Sequence, residues 1–222
     1  QDVVSKGWEL QFTTNITRNW RASVSYSHFA TELANIAPTS GRLIAQYRDK
    51  WMATPNALIG TGSGARTVAV VDNLVYNSYL ITKAQEGART MNERQNKFTF
   101  VTNYDFTEGL LKGFGVGANA IWEDKASTGY ALKQVAGSWV PDPAHPFFTG
   151  SLLRLGASVG YNHKLFHDKI NWRLQLNVYN IGGINPYVVR ASAASTAPTI
   201  MIPTYMNRGT PQGWSLTSTF NF

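Results

Sequence analysis

Cysteine is absent from the 222 residues of the chain. That excludes a disulfide-stapled scaffold, a thiolate metal site and a cysteine nucleophile. Charge is sparse: Asp, Glu, Lys and Arg make up 15% of the sequence, against about 25% in an average soluble domain. Long hydrophobic runs are missing too. No stretch approaches the roughly 18 to 20 consecutive apolar residues that a spanning helix needs, and mean hydropathy is −0.21, so a helical membrane protein is excluded. A membrane β-barrel is not, because its strands alternate apolar and polar residues and average out near neutral. Residues 1–7 (QDVVSKG) lack the charged and apolar regions of a secretory signal. An exported protein of this kind is therefore expected to be a mature chain or a fragment.

Apolar residues form 43% of the chain and aromatics 13%. This combination, with little charge, suits a surface that faces something other than water. The net charge of +7 comes from scattered Lys and Arg without a run of five or six, so no nucleic-acid partner is expected. The dominant pattern is period-2 alternation in segments of about ten residues. Trp8, Leu10, Phe12, Thr14 and Ile16 oppose Glu9, Gln11, Thr13 and Asn15; Trp20, Ala22, Val24 and Tyr26 oppose Arg21, Ser23, Ser25 and Ser27. Five further segments, at about 97–106, 115–123, 153–162, 170–178 and 214–222, follow the same rule, with Ser218 an exception on the apolar face. Ten residues is the length of a tilted membrane strand. Trp8, Trp20, Tyr104, Trp122, Tyr161, Trp172 and Trp214 sit near strand ends, as interfacial girdles do.

The connections alternate in length: short at 17–19, about 107–112 and 166–169; long at 31–94, about 125–150 and about 182–211. Bacterial barrels show this asymmetry, with short periplasmic turns and long extracellular loops. The expected fold is all-β: a transmembrane antiparallel β-barrel portion of about seven strands, occupying residues 1–222 as a single domain. A short helix over 42–51 lies in the first long extracellular loop, and Val68 to Leu80 is apolar without clean alternation. An odd count beginning outside the cell is what a truncated barrel looks like, since closed single-chain bacterial barrels have even strand numbers. A self-contained eight-stranded barrel, a barrel hydrolase and a soluble β-sandwich binding module are the alternatives.

The C-terminal segments carry a family likeness. Residues 174–187 (LQLNVYNIGGINPY) resemble the penultimate-strand motif of TonB-dependent outer-membrane receptors, and 213–222 (GWSLTSTFNF) resemble that family's final strand. Residues 5–10 (SKGWEL) with 16–20 (ITRNW), and 104–114 (YDFTEGLLKGF), are similar to its strand–turn–strand units. The resemblance implies a 22-stranded barrel with an N-terminal plug, energised through the TonB complex, that imports a siderophore, cobalamin or saccharide. It implies further that Trp214, Leu216, Phe220 and Phe222 form the signal read by the barrel-assembly machinery. This chain shows no plug and too few strands to close, so no plug function maps onto any residue.

Candidate chemistry is thin. The run 60–67 (GTGSGART) lacks the Gly-Lys-Ser/Thr ending of a phosphate-binding loop, and Gly113, Gly115 and Gly117 alternate along a strand rather than opening a helix. His28, His145, His163 and His167 have no metal-binding or catalytic spacing. Neither a metal, a cofactor nor a catalytic residue is expected. Arg21, Arg154 and Arg173 fall on the polar, lumenal face, where they either guide an anionic ligand or pair with carboxylates such as Glu9 and Glu123. Loop aromatics Tyr47, Trp51, Tyr130, Trp139, Tyr187 and Tyr205 are the remaining candidates for capturing a small nutrient ligand, with lipid and lipopolysaccharide as neighbours of the outer surface.

Overall fold

The computed structural model of the chain describes residues 1–167 and 169–222; Asp168, in the expected 166–169 turn, lies outside the described residues. In chain order the elements are β1 (Asp2–Asn15), β2 (Trp20–Ala34), α1 (Pro38–Met52), β3 (Leu58–Ile59), β4 (Arg66–Thr67), α2 (Val68–Lys83), β5 (Asn96–Asp105), β6 (Phe114–Glu123), β7 (Ser127–Val135), β8 (Ser138–Phe148), β9 (Leu152–Leu165), β10 (Ile170–Ile181), β11 (Tyr187–Ala194), β12 (Ala197–Asn207) and β13 (Gly213–Asn221). Seven strands, in the order β1-β2-β5-β6-β9-β10-β13, pair antiparallel as one continuous sheet. They are the seven that the alternation predicts.

Because side chains on a strand point alternately to opposite faces, one register error would send a strand's apolar set to the wrong side. The pairing avoids this throughout. Thr14, Ala22, Thr102, Ala118, Ala157, Val178 and Trp214 form one row across all seven strands. Trp20, Tyr104, Val116, Val159, Leu176 and Leu216 form the next. The reverse face reads Asn15, Arg21, Asn103, Gly117, Ser158, Asn177 and Ser215. Among the described residues no second sheet covers the apolar face. Leu10, Phe12 and Trp214 remain 65%, 64% and 74% exposed, although moving such a side chain into apolar surroundings is worth ~1.5–3 kcal/mol.

The aromatics named from the sequence lie on this apolar face in two bands. Trp20, Tyr104, Tyr161 and Trp172 mark one end, and Trp8, Trp122 and Trp214 the other. Along β2, Trp20 stands eight residues from His28, the partner of Trp8, or ~26 Å of strand at ~3.3 Å per residue. Tilt brings that span to or below the ~25 Å apolar band of a membrane barrel. Two hydroxyls on this face accept from the same aromatics: Trp172 Nε1 donates to Ser218 Oγ (2.9 Å) and Trp20 Nε1 to Thr102 Oγ1 (2.8 Å). Indole N–H groups at a water–apolar boundary need such partners.

The three short connections fall at one end of the sheet and the three long ones at the other. The long ones are not plain loops. Residues 124–151 contain the hairpin β7–β8, and 182–212 contain β11–β12, where the alternation assigns no strand. The first long connection holds two helices, not one. α1 runs past the predicted 42–51 at both ends and starts with Pro38 in its first turn, where the missing N–H costs nothing. α2 is the apolar stretch that failed to alternate; Thr67 Oγ1 caps it by accepting from Val70 N (3.4 Å). Arg48 of α1 forks onto the buried carboxylate of Asp72 in α2 (3.1–3.2 Å) and lies 3.6 Å from the Tyr76 ring centroid. Neither helix is long and apolar enough to cross a membrane.

Tight burial is concentrated among these connections. Ile36, Ala88, Ala126, Thr128, Val140 and Ala191 are all buried there, whereas the sheet contributes Ala22 alone to the buried apolar set among the described residues. The two hairpins touch where Gly129 of β7 crosses β11 so closely that an added Cβ would stand 2.0 Å from the Ala191 carbonyl oxygen. Gly129→Val should therefore separate β7 from β11 at a cost of about 1–3 kcal/mol. Amide hydrogen exchange checks this: protection should fall in β7, β8, β11 and β12 and stay unchanged in β5, β6 and β9.

Candidate ligand-binding site

The three arginines singled out on the polar face do not converge. Arg21 (opposite Asn15 and Asn103) and Arg173 (opposite Asn162 and Thr219) lie toward the short-turn end. Arg154 lies at the long-connection end, where its Nη2 pairs with Glu123 Oε2 at 3.0 Å. That pairing is the carboxylate alternative that the sequence reading raised for it.

Around Arg154 the structure gathers groups that no alternating pattern flags. Arg94, just before β5, reaches across to the feet of the connection 124–151. Its Nη1 donates to the carbonyl oxygens of Asp124 and Gly150, the latter at 2.9 Å. Its Nη2 is shielded from solvent and has no hydrogen-bond partner among the described residues, and its guanidinium carbon is 5.5 Å from the centre of the Tyr187 ring. Burial pushes the Arg94 pKa down, against the pull of Glu123, Tyr187 and Asp124. Asp124 is held below the ordinary carboxylate value chiefly by the Asn96 amide, which donates to it at 2.7 Å, and by the Lys125 backbone N–H. Asn96 in turn accepts from Tyr26 Oη at 2.7 Å and has His28 Nδ1 2.8 Å away. His28 is thus part of a polar network at the strand end.

Beside this cluster a cleft of about 90 Å³ opens between Arg154, Asn180, Asn185, Tyr187, Asn207 and Thr210. It is large enough for a carboxylate-sized group. Its floor is fixed by Asn180, which sits within a register shift in β10 with a φ of 53° and whose amide donates to the carbonyl oxygens of Gly183 and Thr210. One side chain therefore holds both feet of the last connection. It belongs to the Asn-containing turn on which the family resemblance rests. The chemistry assembled here is cation, phenol and carboxamide, a set that binds an oxygen-rich anion.

The loop aromatics distribute over three separate places. Tyr47 and Trp51 stack on α1 (6.2 Å, 12°), and Trp51 borders two apolar cavities of about 600 and 340 Å³ along the helix pair. Tyr130 is only 6% exposed, and its hydroxyl donates to the Arg89 carbonyl at 2.6 Å, so it ties elements together. Trp139 is half-buried on β8 and Tyr205 is exposed on β12. Of the six, Tyr187 alone lines the cleft with Arg154. Trp214, Leu216 and Phe220 project along the open edge strand β13, with Phe222 just beyond it. Among the described residues no group of three or more His, Asp and Glu is placed to hold a metal ion.

The β7–β8 hairpin carries its own charge cluster. Asp142 has His145 Nδ1 at 2.6 Å and Lys133 Nζ at 3.0 Å. The hydrogen bond to His145 first, then that to Lys133, holds the Asp142 carboxyl below its ordinary 3.8. A carboxyl depressed by folding stabilises the folded hairpin above its ordinary pKa, and the contribution vanishes as pH falls through the depressed folded value. Acidification from neutral to below 3.8 should therefore raise amide exchange in 133–145, after correction for intrinsic rates. Asp142→Asn should abolish that pH dependence.

No protein-family model and no curated protein matches the chain. Solved structures do. The siderophore receptor PiuA from Acinetobacter baumannii superimposes with a TM-score of 0.50 at 19% identity, over 97% of this chain and 21% of that one. The FpvAI–pyocin S2 complex gives 0.48 at 15% identity, and Pseudomonas aeruginosa FpvA bound to heterologous pyoverdines gives 0.46 at 15%, each over 97% of this chain and 19% of that one; at these scores neither adds weight. The chain spans about a fifth of the length of the receptors it matches. Its seven-stranded sheet and the connections crowning it have the fold of a stretch of a TonB-dependent siderophore-receptor barrel.

Proposed function

We propose that this chain is part of the barrel of a TonB-dependent outer-membrane receptor. Its apolar face meets lipid, its polar face lines the passage, and its long connections face the cell exterior and capture a small nutrient. The observation that carries the reading is the two-faced wall crowned at one end by the Arg94–Arg154–Tyr187 cluster. Siderophore, cobalamin and saccharide ligands all suit such a wall. The unpartnered Arg94 Nη2 and the carboxylate-sized cleft favour an anionic, oxygen-rich one such as a ferric chelate. The short turns then face the periplasm, lipopolysaccharide borders the outer rim, and the edge strand β13 carries the assembly signal. Coupling to TonB belongs to the plug region of such a receptor, which maps onto no residue here. The wall itself binds and conducts, without catalysis.

The test is uptake by cells whose only copy of the full-length protein is wild type or variant, offered ferric citrate, cobalamin or a maltooligosaccharide. Uptake of ferric citrate is expected to depend on TonB. Arg154→Ala combined with Tyr187→Ala should weaken its binding about 10- to 100-fold, the loss of one to two charge-assisted hydrogen bonds. Uptake of none of the three, or uptake indifferent to TonB, would count against the proposal.

A further inference from the structure

At the short-turn end the sheet is notched. β6 begins at Phe114, opposite Tyr161 of β9. Past that pair β9 keeps one more hydrogen bond on this side, Asn162 N to the Gly113 carbonyl (2.8 Å), and then runs on to Leu165 paired with β10 only. Beyond that bond, turn 106–113 and this overhang border an open cavity of about 940 Å³. Because the wall is interrupted there, residues of both faces reach it. Among the described lining residues, Lys112 and Arg173 supply positive charge and Asp105 the one carboxylate, while Phe114 and Tyr161 supply aromatic surface. Among the described residues neither Lys112 nor Arg173 has an ion-pair partner.

The aromatic surface does not stop at the notch. Phe114 and Tyr161 meet at 4.7 Å, Tyr161 meets Trp172 edge-on at 6.3 Å, and Trp172 stacks on Phe220 at 6.3 Å. A band of rings thus runs from the cations along the apolar face. A ligand matching both halves carries a negative group at one end and hydrocarbon at the other.

We propose that this notch is a docking site for an anionic phospholipid of the inner leaflet. Its phosphodiester sits between Lys112 and Arg173, and its glycerol and upper acyl region pack against Phe114, Tyr161 and Trp172 of the aromatic band. Basic pockets at a membrane face hold lipid headgroups in this way, and rings at the interface favour the glycerol and upper acyl region. The inference rests on the membrane-wall reading above, since it needs the short-turn end to meet the periplasmic leaflet.

The full-length protein, purified from membranes, is placed in nanodiscs of phosphatidylcholine with a minor share of phosphatidylglycerol, and the lipids retained on mild ejection are identified by native mass spectrometry. Phosphatidylglycerol should be retained over phosphatidylcholine by roughly tenfold or more, and less so at high salt. Lys112→Gln with Arg173→Gln should bring the ratio near unity. Arg173→Lys, which keeps the charge, and Lys6→Gln, at the opposite end of β1, should leave it intact. Equal retention of both lipids by the wild type overturns the site while leaving the wall reading standing. Displacement of phosphatidylglycerol by millimolar inorganic phosphate overturns the lipid as occupant. A protein that enters no nanodisc and stays monodisperse without detergent overturns the wall and the site together.

Discussion

Cross-strand register is the constraint on which everything else depends. Seven segments from distant parts of the chain place their apolar residues on one side only because each pair is aligned to the residue, from Leu10 beside Tyr26 to Leu176 beside Leu216. A slip of one position in β5 would set Asn103 beside Ala22 and Lys97 beside His28, on the apolar side of β2, and turn Phe98 and Phe100 onto the polar face. The short turns enforce the alignment. At 16–19, Ile16 N donates to the Trp20 carbonyl at 2.8 Å, and at 106–113 Phe106 N donates to the Phe114 carbonyl at 2.8 Å. Once register is set, the separation of an oily face from a wet face follows without further specification.

That separation displaces the core. A soluble sheet would put its Leu and Phe against a second layer and leave its connections exposed. Here the sheet keeps its large apolar residues on an uncovered face, and the residues shielded most completely lie in the connections. The order in those connections comes from specific polar ties: Arg94 to the carbonyls of Asp124 and Gly150, Tyr130 to the Arg89 carbonyl, Arg48 to Asp72. Hydrogen bonds to charged groups are worth ~1.5–3 kcal/mol each, so the ties made by Arg94 and Arg48 add to the burial of Ile36, Ala126 and Val140 in holding these long segments.

The same physics decides what the sequence reveals. Strands that face two different environments must alternate, so the wall is written in period 2 and its seven members are legible. β7–β8 and β11–β12 have neither face committed to one environment. β8 carries Pro141, Pro143 and Pro146, and β12 carries Pro198 and Pro203, residues that ordinarily argue against a strand. The β7–β8 turn uses Ala136 and Gly137, both at positive φ, a turn without the Asn-Gly or Asp-Gly signal that marks hairpins. α2 is hidden for another reason. Val68, Val70, Val71 and Val75 give it the composition of a strand, while its helical identity depends on the Thr67 cap and on Asp72 meeting Arg48 of α1.

For the site, alternation reached Arg154 but not Arg94. An arginine on the polar face announces itself by its parity on a strand. Arg94 stands outside any strand, and its place follows from three segments meeting: the end of the helical connection, the corner after β6 and the lead into β9. What sets it apart is partial desolvation without a full complement of partners, since its Nη2 is left unbonded while burial lowers its pKa. A cation in that state is destabilised relative to water, and the nearby carboxylates of Glu123 and Asp124 offset part of the deficit. The exposed arginines Arg21 and Arg173 carry no such deficit, because water already solvates them. Parity on a strand therefore finds the exposed cations of the polar face, whereas Arg94 is found only through its burial and its ties to the carbonyls of Asp124 and Gly150.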